Sequence, residues 1–189
     1  MGAFDPPILY DKGSYIETDT GNKVSRKASI VGASNIILGG KSIIQNGAIL
    51  RGDLRRTIPG QHIAITMGRY CVIGENTIIR PPSRFYKGTF TYYPVKMGDF
   101  AQIGKNCIIE AATIGSGSEI GDNCIIGKFT VIKDLSLIKP NTVLPENTQV
   151  ASYTIWAGNP GKMIGTLPET LQEVVEGNAK GFYGRFRSA

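Results

Sequence analysis

A single histidine, His62, limits the acid–base and metal chemistry open to this 189-residue chain. A catalytic zinc takes three protein ligands and keeps a fourth position for water. One imidazole cannot supply that set unless symmetric copies bring it to a threefold axis. His62 lies in the irregular stretch GQHIAIT and reads as a surface or loop imidazole. The three cysteines, Cys71, Cys107 and Cys124, lack the spacing of a paired-ligand motif, and they read as reduced thiols packed like small apolar side chains. The segment Pro81 to Pro94, PPSRFYKGTFTYYP, holds Phe85, Tyr86, Phe90, Tyr92 and Tyr93 out of seven Phe and eight Tyr in the chain. Aromatic density on a loop is a recognition signal, so Arg80, Phe85, Tyr86, Lys87, Tyr92 and Tyr93 are candidate protein-contact residues. The same loop could instead pack down on a flat sheet face.

The elements that must carry these residues come from a repeat. Aliphatics recur every six positions at Val31, Ile37, Ile43 and Ile49, then at Met67, Ile73 and Ile79, then at Met97, Ile103 and Ile109. After a five-residue step they continue at Ile114, Ile120, Ile126, Ile132, Ile138 and Leu144. Glycine follows many of them, and Asn76, Asn106, Asn123, Asn141 and Asn147 recur between them. Gly and Asn tolerate positive φ and so mark a tight corner in each repeat. A small residue follows each of these Asn, as at Thr77, Cys107, Cys124, Thr142 and Thr148. A short strand, a corner and a small inward residue describe one side of a triangle. Three sides close a coil of about 18 residues, stacked on the next at roughly 4.8 Å. Cys107 and Cys124 should then lie directly above one another. A period of six excludes an apolar stripe at 3.6, so the fold expected is an all-β solenoid of hexapeptide repeats. Periodicity alone leaves its hand open.

The repeat divides the chain. Residues 1–30 read as an N-terminal capping segment, and 31–157 as a β-helix with outward loops near 54–66 and 81–94. Residues 158–189 read as a C-terminal helix and tail. Pro168 suits a first helical turn, Leu171, Val174 and Val175 share a face at helical spacing, and Gly177 can end a short amphipathic helix.

Composition adds exclusions. The net charge is +6, but the 21 basic residues are spread along the sequence with only doublets such as Arg55-Arg56. Without a basic stripe and interleaved aromatics no nucleic acid is expected; the charge implies a mild preference for acidic partners. No apolar run approaches a membrane span. Met1 to Asp11 shows no secretory pattern, so reduced thiols and the cytosol are expected, and Arg51-Gly52-Asp53 is no integrin tripeptide.

Two motifs carry a resemblance. Gly158-Asn159-Pro160-Gly161-Lys162 resembles the exit motif of hexapeptide-repeat proteins, found in acyltransferases and γ-class carbonic anhydrases, and Arg51-Gly52-Asp53 resembles the anhydrase subset. That likeness implies a left-handed parallel β-helix, against the usual right-handed crossover. It also implies an alternative function, an anhydrase-like or acyltransferase enzyme assembled as a homotrimer. The anhydrase pattern places its metal histidines at Lys105 and Glu110, with the first-ligand region near Arg80. Protonated Lys and Arg cannot ligate zinc. Lys105 and Glu110 therefore read as degenerate former metal-site positions that can form an ion pair instead, and no metal or cofactor is expected. An acyltransferase would further need a pantetheine groove, which no motif here signals.

A more specific resemblance covers nearly the whole chain. The pieces LY-x-K-x-x-YIET-x-x-GNKVSR (Leu9 to Arg26), RGDL (Arg51 to Leu54), IRPP (Ile79 to Pro82), AA-x-IGS (Ala111 to Ser116) and NTVLP (Asn141 to Pro145) are similar to the dynactin subunit 5 family. The stretch Thr57 to Ile63 and the tail after Ala179 depart from it. The resemblance implies a non-catalytic subunit of the dynactin pointed-end complex, a scaffold for cargo adaptors in dynein-driven microtubule transport. Its implied partners are a second β-helix subunit (dynactin subunit 6), further pointed-end subunits including the actin-related protein, and coiled-coil cargo adaptors. Its implied location is the cytoplasm and the microtubule cytoskeleton.

Overall fold

Corner residues set the architecture. In the computed structural model, which describes residues 5–56, 60 and 62–189, Asn76, Asn106, Asn123 and Asn141 occupy one corner with φ between 57° and 63°. The next residue, Thr77, Cys107, Cys124 or Thr142, is fully buried. Two positions further on, Ile79, Ile109, Ile126 and Leu144 fill the core at 0–1% exposure. Each buried aliphatic contributes roughly 1.5–3 kcal/mol. The repeated unit is thus a left-handed backbone residue, a small inward residue, an outward residue and an inward aliphatic.

Three parallel sheets close a left-handed prism. One, the covered face, stacks Lys23–Ser25, Ile43–Ile44, Val72–Ile73, Gln102–Ile103, Glu119–Ile120, Leu137–Ile138 and Thr154–Gly158. Antiparallel strands Tyr15–Glu17 and Gly161–Thr166 flank it at its two ends. The open face stacks Ser29–Val31, Ile49–Arg51, Ile78–Ile79, Ile108–Ile109, Ile125–Ile126 and Val143–Leu144, and the third face begins at Ile36–Gly40 and ends at Gln149–Val150. The small inward residues tie coils together. The Cys71, Cys107 and Cys124 thiols donate to the carbonyls of Gly98, Gly121 and Lys139 at 3.0–3.1 Å, and the Thr77 hydroxyl to Gly104 at 2.6 Å. Cys107 and Cys124 do lie on adjacent coils, joined by the Ile108 amide donating to the Cys124 carbonyl. Coils approach so closely that a Cβ on Gly74 would sit 2.3 Å from the Gly104 oxygen.

The first coils run one residue out of phase with the expected series. Ile44 and Leu50, not Ile43 and Ile49, pair with the inward Ile73 and Ile79. Ile30 and Leu38 replace Val31 and Ile37, which are 38% and 48% exposed. A one-residue slip turns every side chain to the opposite face. The phase is fixed by Gly47 at φ 73° and Lys41 at φ 51°, each three residues before its inward aliphatic.

The C-terminal helix is longer than expected. It spans Leu171–Arg185 behind Thr170, with Pro168 outside it and Gly177, Gly181 and Gly184 inside. Gly177 and Gly184 face open space, so tertiary packing outweighs a cost of about 1 kcal/mol for each glycine. The packed stripe is buried Ala179 with half-buried Val175, Phe182 and Tyr183, while Val174 is 56% exposed. The helix runs down one prism corner whose positive-φ residues include Tyr70, Phe100 and Leu135. Tyr70 stacks on Phe100 at 5.8 Å and meets Tyr183 edge-on, and the Lys180 ammonium lies 5.7 Å from the Phe100 ring. Beyond the helix, Phe186–Ser188 pairs in parallel with Ile8–Tyr10. Phe186 covers the outward-pointing Ile43 and Val72.

Candidate functional site

Nearly every irregular segment leaves the prism at one corner, between the open and third faces. The 3-10 turn Ala33–Asn35, the segment between Arg51 and Ile65, and the segment between Ile79 and Val95 all lie there. The last begins at Arg80, whose amide still donates to Ile109 before buried Pro81 and Pro82 end the ladder. It then forms an antiparallel hairpin of Ser83–Tyr86 and Thr89–Tyr92. Lys87 and Gly88, at φ 49° and 77°, make the two-residue turn that suits right-handed strand twist.

The hairpin stands away from the sheets. Phe85, Tyr86 and Phe90 are 74%, 52% and 49% exposed. Phe85 opposes Phe90 across the strands at 5.4 Å, and Tyr92 meets Phe90 edge-on at 5.1 Å, giving one aromatic face. Lys87 lies 5.3 Å over Tyr86. At the base, the Tyr93 amide donates to the Pro82 carbonyl. The guanidiniums of Arg56 and Arg84 lie 4.7 and 4.8 Å from the Tyr93 ring, which meets Phe129 at 5.4 Å. Hydrogen bonding by Arg84, then by Arg56, holds the Tyr93 phenol below its ordinary pKa. Arg56 belongs to the first loop and Arg84 to the hairpin, so Tyr93 joins the two outgrowths. Of the sequence candidates, Phe85, Tyr86, Lys87, Tyr92 and Tyr93 share this hairpin, and Arg80 stands exposed at its root.

The former metal positions do not converge. Lys105 precedes and Glu110 follows the strand Ile108–Ile109, at opposite ends of one prism side. The expected ion pair between them is absent; the left-handed corner at Asn106 and the strand Ile108–Ile109 lie between them. Glu110 instead stands beside Arg80 on the neighbouring coil, as the Ile79–Ile109 pairing places it. Arg51 and Asp53 form the one ion pair among the described residues, a bidentate contact at 2.8 and 2.9 Å. That contact holds the Asp53 carboxyl below its ordinary value. His62 Nδ1 is 3.4 Å from Arg55 on the first loop. Among the described residues no group of three His, Cys, Asp or Glu could hold a metal, so the side chains present do not fit the zinc of an anhydrase. Among them, too, no helix is long and apolar enough to cross a membrane.

A second surface was not foreseen. Ile49, Ile78, Ile108, Ile125 and Val143 align across the open face with their side chains outward. Ile108 and Ile125 are 38% and 45% exposed. The doublets Ile78-Ile79, Ile108-Ile109 and Ile125-Ile126 were the available signal, since a strand with one buried face needs an aliphatic only at every second position.

The prism is similar to solved acyltransferase-type folds. A hexapeptide transferase family protein from Anaplasma phagocytophilum matches with a TM-score of 0.63 at 23% identity, covering 86% of this chain and 89% of that one. An N-acyltransferase from Bacillus cereus, in complex with dTDP and coenzyme A, matches with a TM-score of 0.68 at 17% identity, covering 89% and 98%. These likenesses concern the fold. Gamma carbonic anhydrase 2, mitochondrial, of Arabidopsis thaliana is 23% identical over 96% of this chain and 58% of its own length. Dynactin subunit 5 of Dictyostelium discoideum is 41% identical over 95% of this chain and 87% of its own length. The family described as Dynactin subunit 5 matches residues 6–189. Taken with a prism that keeps the hexapeptide coil and lacks the histidines of an anhydrase, this places the chain in the Dynactin subunit 5 family.

Proposed function

We propose that the chain is a non-catalytic subunit of the dynactin pointed-end complex, a rigid scaffold that docks cargo adaptors for dynein-driven transport along microtubules. The observation that carries the docking reading is the hairpin, whose aromatic residues project into solvent at the one corner where coil regularity is broken. A stacked prism behind it keeps the docking residues ordered before binding, which lowers the entropy cost of association. Coiled-coil adaptors are the proposed ligands of the hairpin edge. The aliphatic row on the open face suits the second β-helix subunit, since two flat sheets pack face to face at about 10 Å. The actin-related protein and other pointed-end subunits complete the proposed partner set, with the cytoplasm and the microtubule cytoskeleton as its location.

The test is affinity purification from cells with mass spectrometry, together with zinc analysis and solution mass of the isolated chain. Co-purification with actin-related proteins and a zinc-free preparation are expected. A zinc-bearing homotrimer that hydrates carbon dioxide would overturn the reading in favour of the enzyme.

A further inference from the structure

The charge that looks dispersed in the sequence is gathered by the fold. Residues 54–66 and 80–96 contain Arg55, Arg56, Arg80, Arg84, Lys87 and Lys96 and no Asp or Glu. The chain has 21 basic and 15 acidic residues, so outside these two segments 15 face 15, and the net charge of +6 resides here. The described parts of both segments leave the same corner of the prism and meet at Tyr93. Arg80, Arg84, Lys87 and Lys96 are exposed and none of these four is in an ion pair. Between the outgrowths lies a cleft of about 290 Å³ lined by Arg56, His62, Ile63, Thr66, Pro94 and Lys96. It has apolar walls in Ile63 and Pro94 and cationic walls in Arg56 and Lys96.

We propose that this edge is a receptor for an acidic peptide segment with interspersed apolar side chains, supplied by a protein partner. The proposal rests on the docking reading of the hairpin and gives its ligand a chemistry. Carboxylates answer the exposed Arg80, Arg84, Lys87 and Lys96, and such complementarity steers encounter and rejects basic competitors. Apolar side chains answer the cleft and the Phe85–Phe90–Tyr92 face. Nucleic acid fits the charge but is disfavoured by the ring geometry. Tyr93 is covered by Arg56 and Arg84, and Phe85, Phe90 and Tyr92 meet one another edge-on, so no stacked platform for bases is presented.

The experiment measures fluorescence anisotropy of a labelled alternating Glu–Leu peptide on the full chain at low salt. The Gln–Leu peptide, an oligothymidine strand and phosphatidylserine vesicles serve as comparisons. The acidic peptide should bind tightest, and its affinity should fall as salt shortens the Debye length. The triple variant Arg80→Glu, Lys87→Glu, Lys96→Glu should weaken it by roughly tenfold or more. The triple variant Lys105→Glu, Lys133→Glu, Lys139→Glu, with equal net charge and its changes away from this corner, should weaken it far less. Equal loss in both triple variants, equal binding of the Gln–Leu peptide, or tighter binding of the oligonucleotide or vesicles would each overturn the proposal. The double variant Phe85→Ala, Tyr86→Ala separates the two readings. If it strips partners in cells while the acidic peptide never binds, the hairpin docks by another chemistry and this proposal falls alone. If it strips none, the docking reading falls with it.

Discussion

Two corners of the same prism take opposite courses. At one, bulky residues occupy left-handed backbone, and Tyr70, Phe100 and Leu135 are held there under the C-terminal helix. At another, the coil opens into a loop and a hairpin whose aromatics remain in water. A left-handed φ at a non-glycine residue costs roughly 1–2 kcal/mol, and the first corner offsets that cost by burying Leu135 and half-burying Tyr70 and Phe100. The second corner packs Tyr93 against Phe129 and leaves Phe85, Tyr86 and Phe90 in solvent. Aromatic content therefore does not distinguish core from contact surface; what covers the rings does.

The sharpest way to break this contrast is to truncate one ring at each corner. Phe186→Ala, at 5% exposure beside the covered corner, should cost about 3–5 kcal/mol, read by urea unfolding. Phe85→Ala should lie within about 0.5 kcal/mol of the parent. Comparable losses would mean that the hairpin belongs to the core. Next in size is Gly74→Ala. The new methyl meets the Gly104 carbonyl, and the resulting overpacking should cost about 1–3 kcal/mol in the same measurement. Gly177→Ala should act in the other direction. Its Cβ meets nothing, so about 0.5–1 kcal/mol of stability should be gained, raising Tm by roughly 1–4 °C. A decrease would show that the helix needs flexibility there.

The smallest effect is a pH dependence at the covered corner. Lys23 lies under the Tyr183 ring at 4.5 Å and donates to the Phe186 carbonyl, and burial lowers its pKa. Between that lowered value and the ordinary 10.5 the unfolded chain holds more protons, so stability should rise with pH. Burial, reinforced by Glu75, pushes Tyr15 up to about 12. From pH 10 to 12 the folded chain keeps a proton that the unfolded chain releases, so stability should fall. Lys23→Met should remove the rising limb and leave the falling one, in melts followed by circular dichroism.

Much of the coil could be read from residue types alone. The hexad, the Asn corners and the stacked thiols follow from local rules that the structure repeats coil after coil. The phase of the first coils did not, because Ile36-Ile37, Ile43-Ile44 and Ile49-Leu50 offer an aliphatic at either position. Only the backbone of Lys41 and Gly47 decides between them. The helix was cut short at Gly177 by its propensity, whereas Ala179, Phe182 and Tyr183 continue it through contacts made with residues far away in sequence. The aromatic hairpin was visible as composition. Its exposure and its union with the first loop through Tyr93 were not, since Arg56 and Arg84 lie one coil apart. Lys105 and Glu110 were placed by likeness to an enzyme family, and likeness does not say that they occupy opposite ends of a side.

The pairing of Ile8–Tyr10 with Phe186–Ser188 has a consequence for biosynthesis. Coils can stack in order as the chain emerges, yet Ile43 and Val72, which Ile8, Tyr10 and Tyr15 can reach early, lack the cover of Phe186 until it arrives. Phe186 follows Val72 by 114 residues, which at about 5–20 residues per second is roughly 6–23 s of translation. During that interval a sheet edge and part of an aliphatic patch face solvent together. A nascent-chain chaperone, or a partner subunit that binds early, would find its target at the first coil and be displaced when the last strand closes over it.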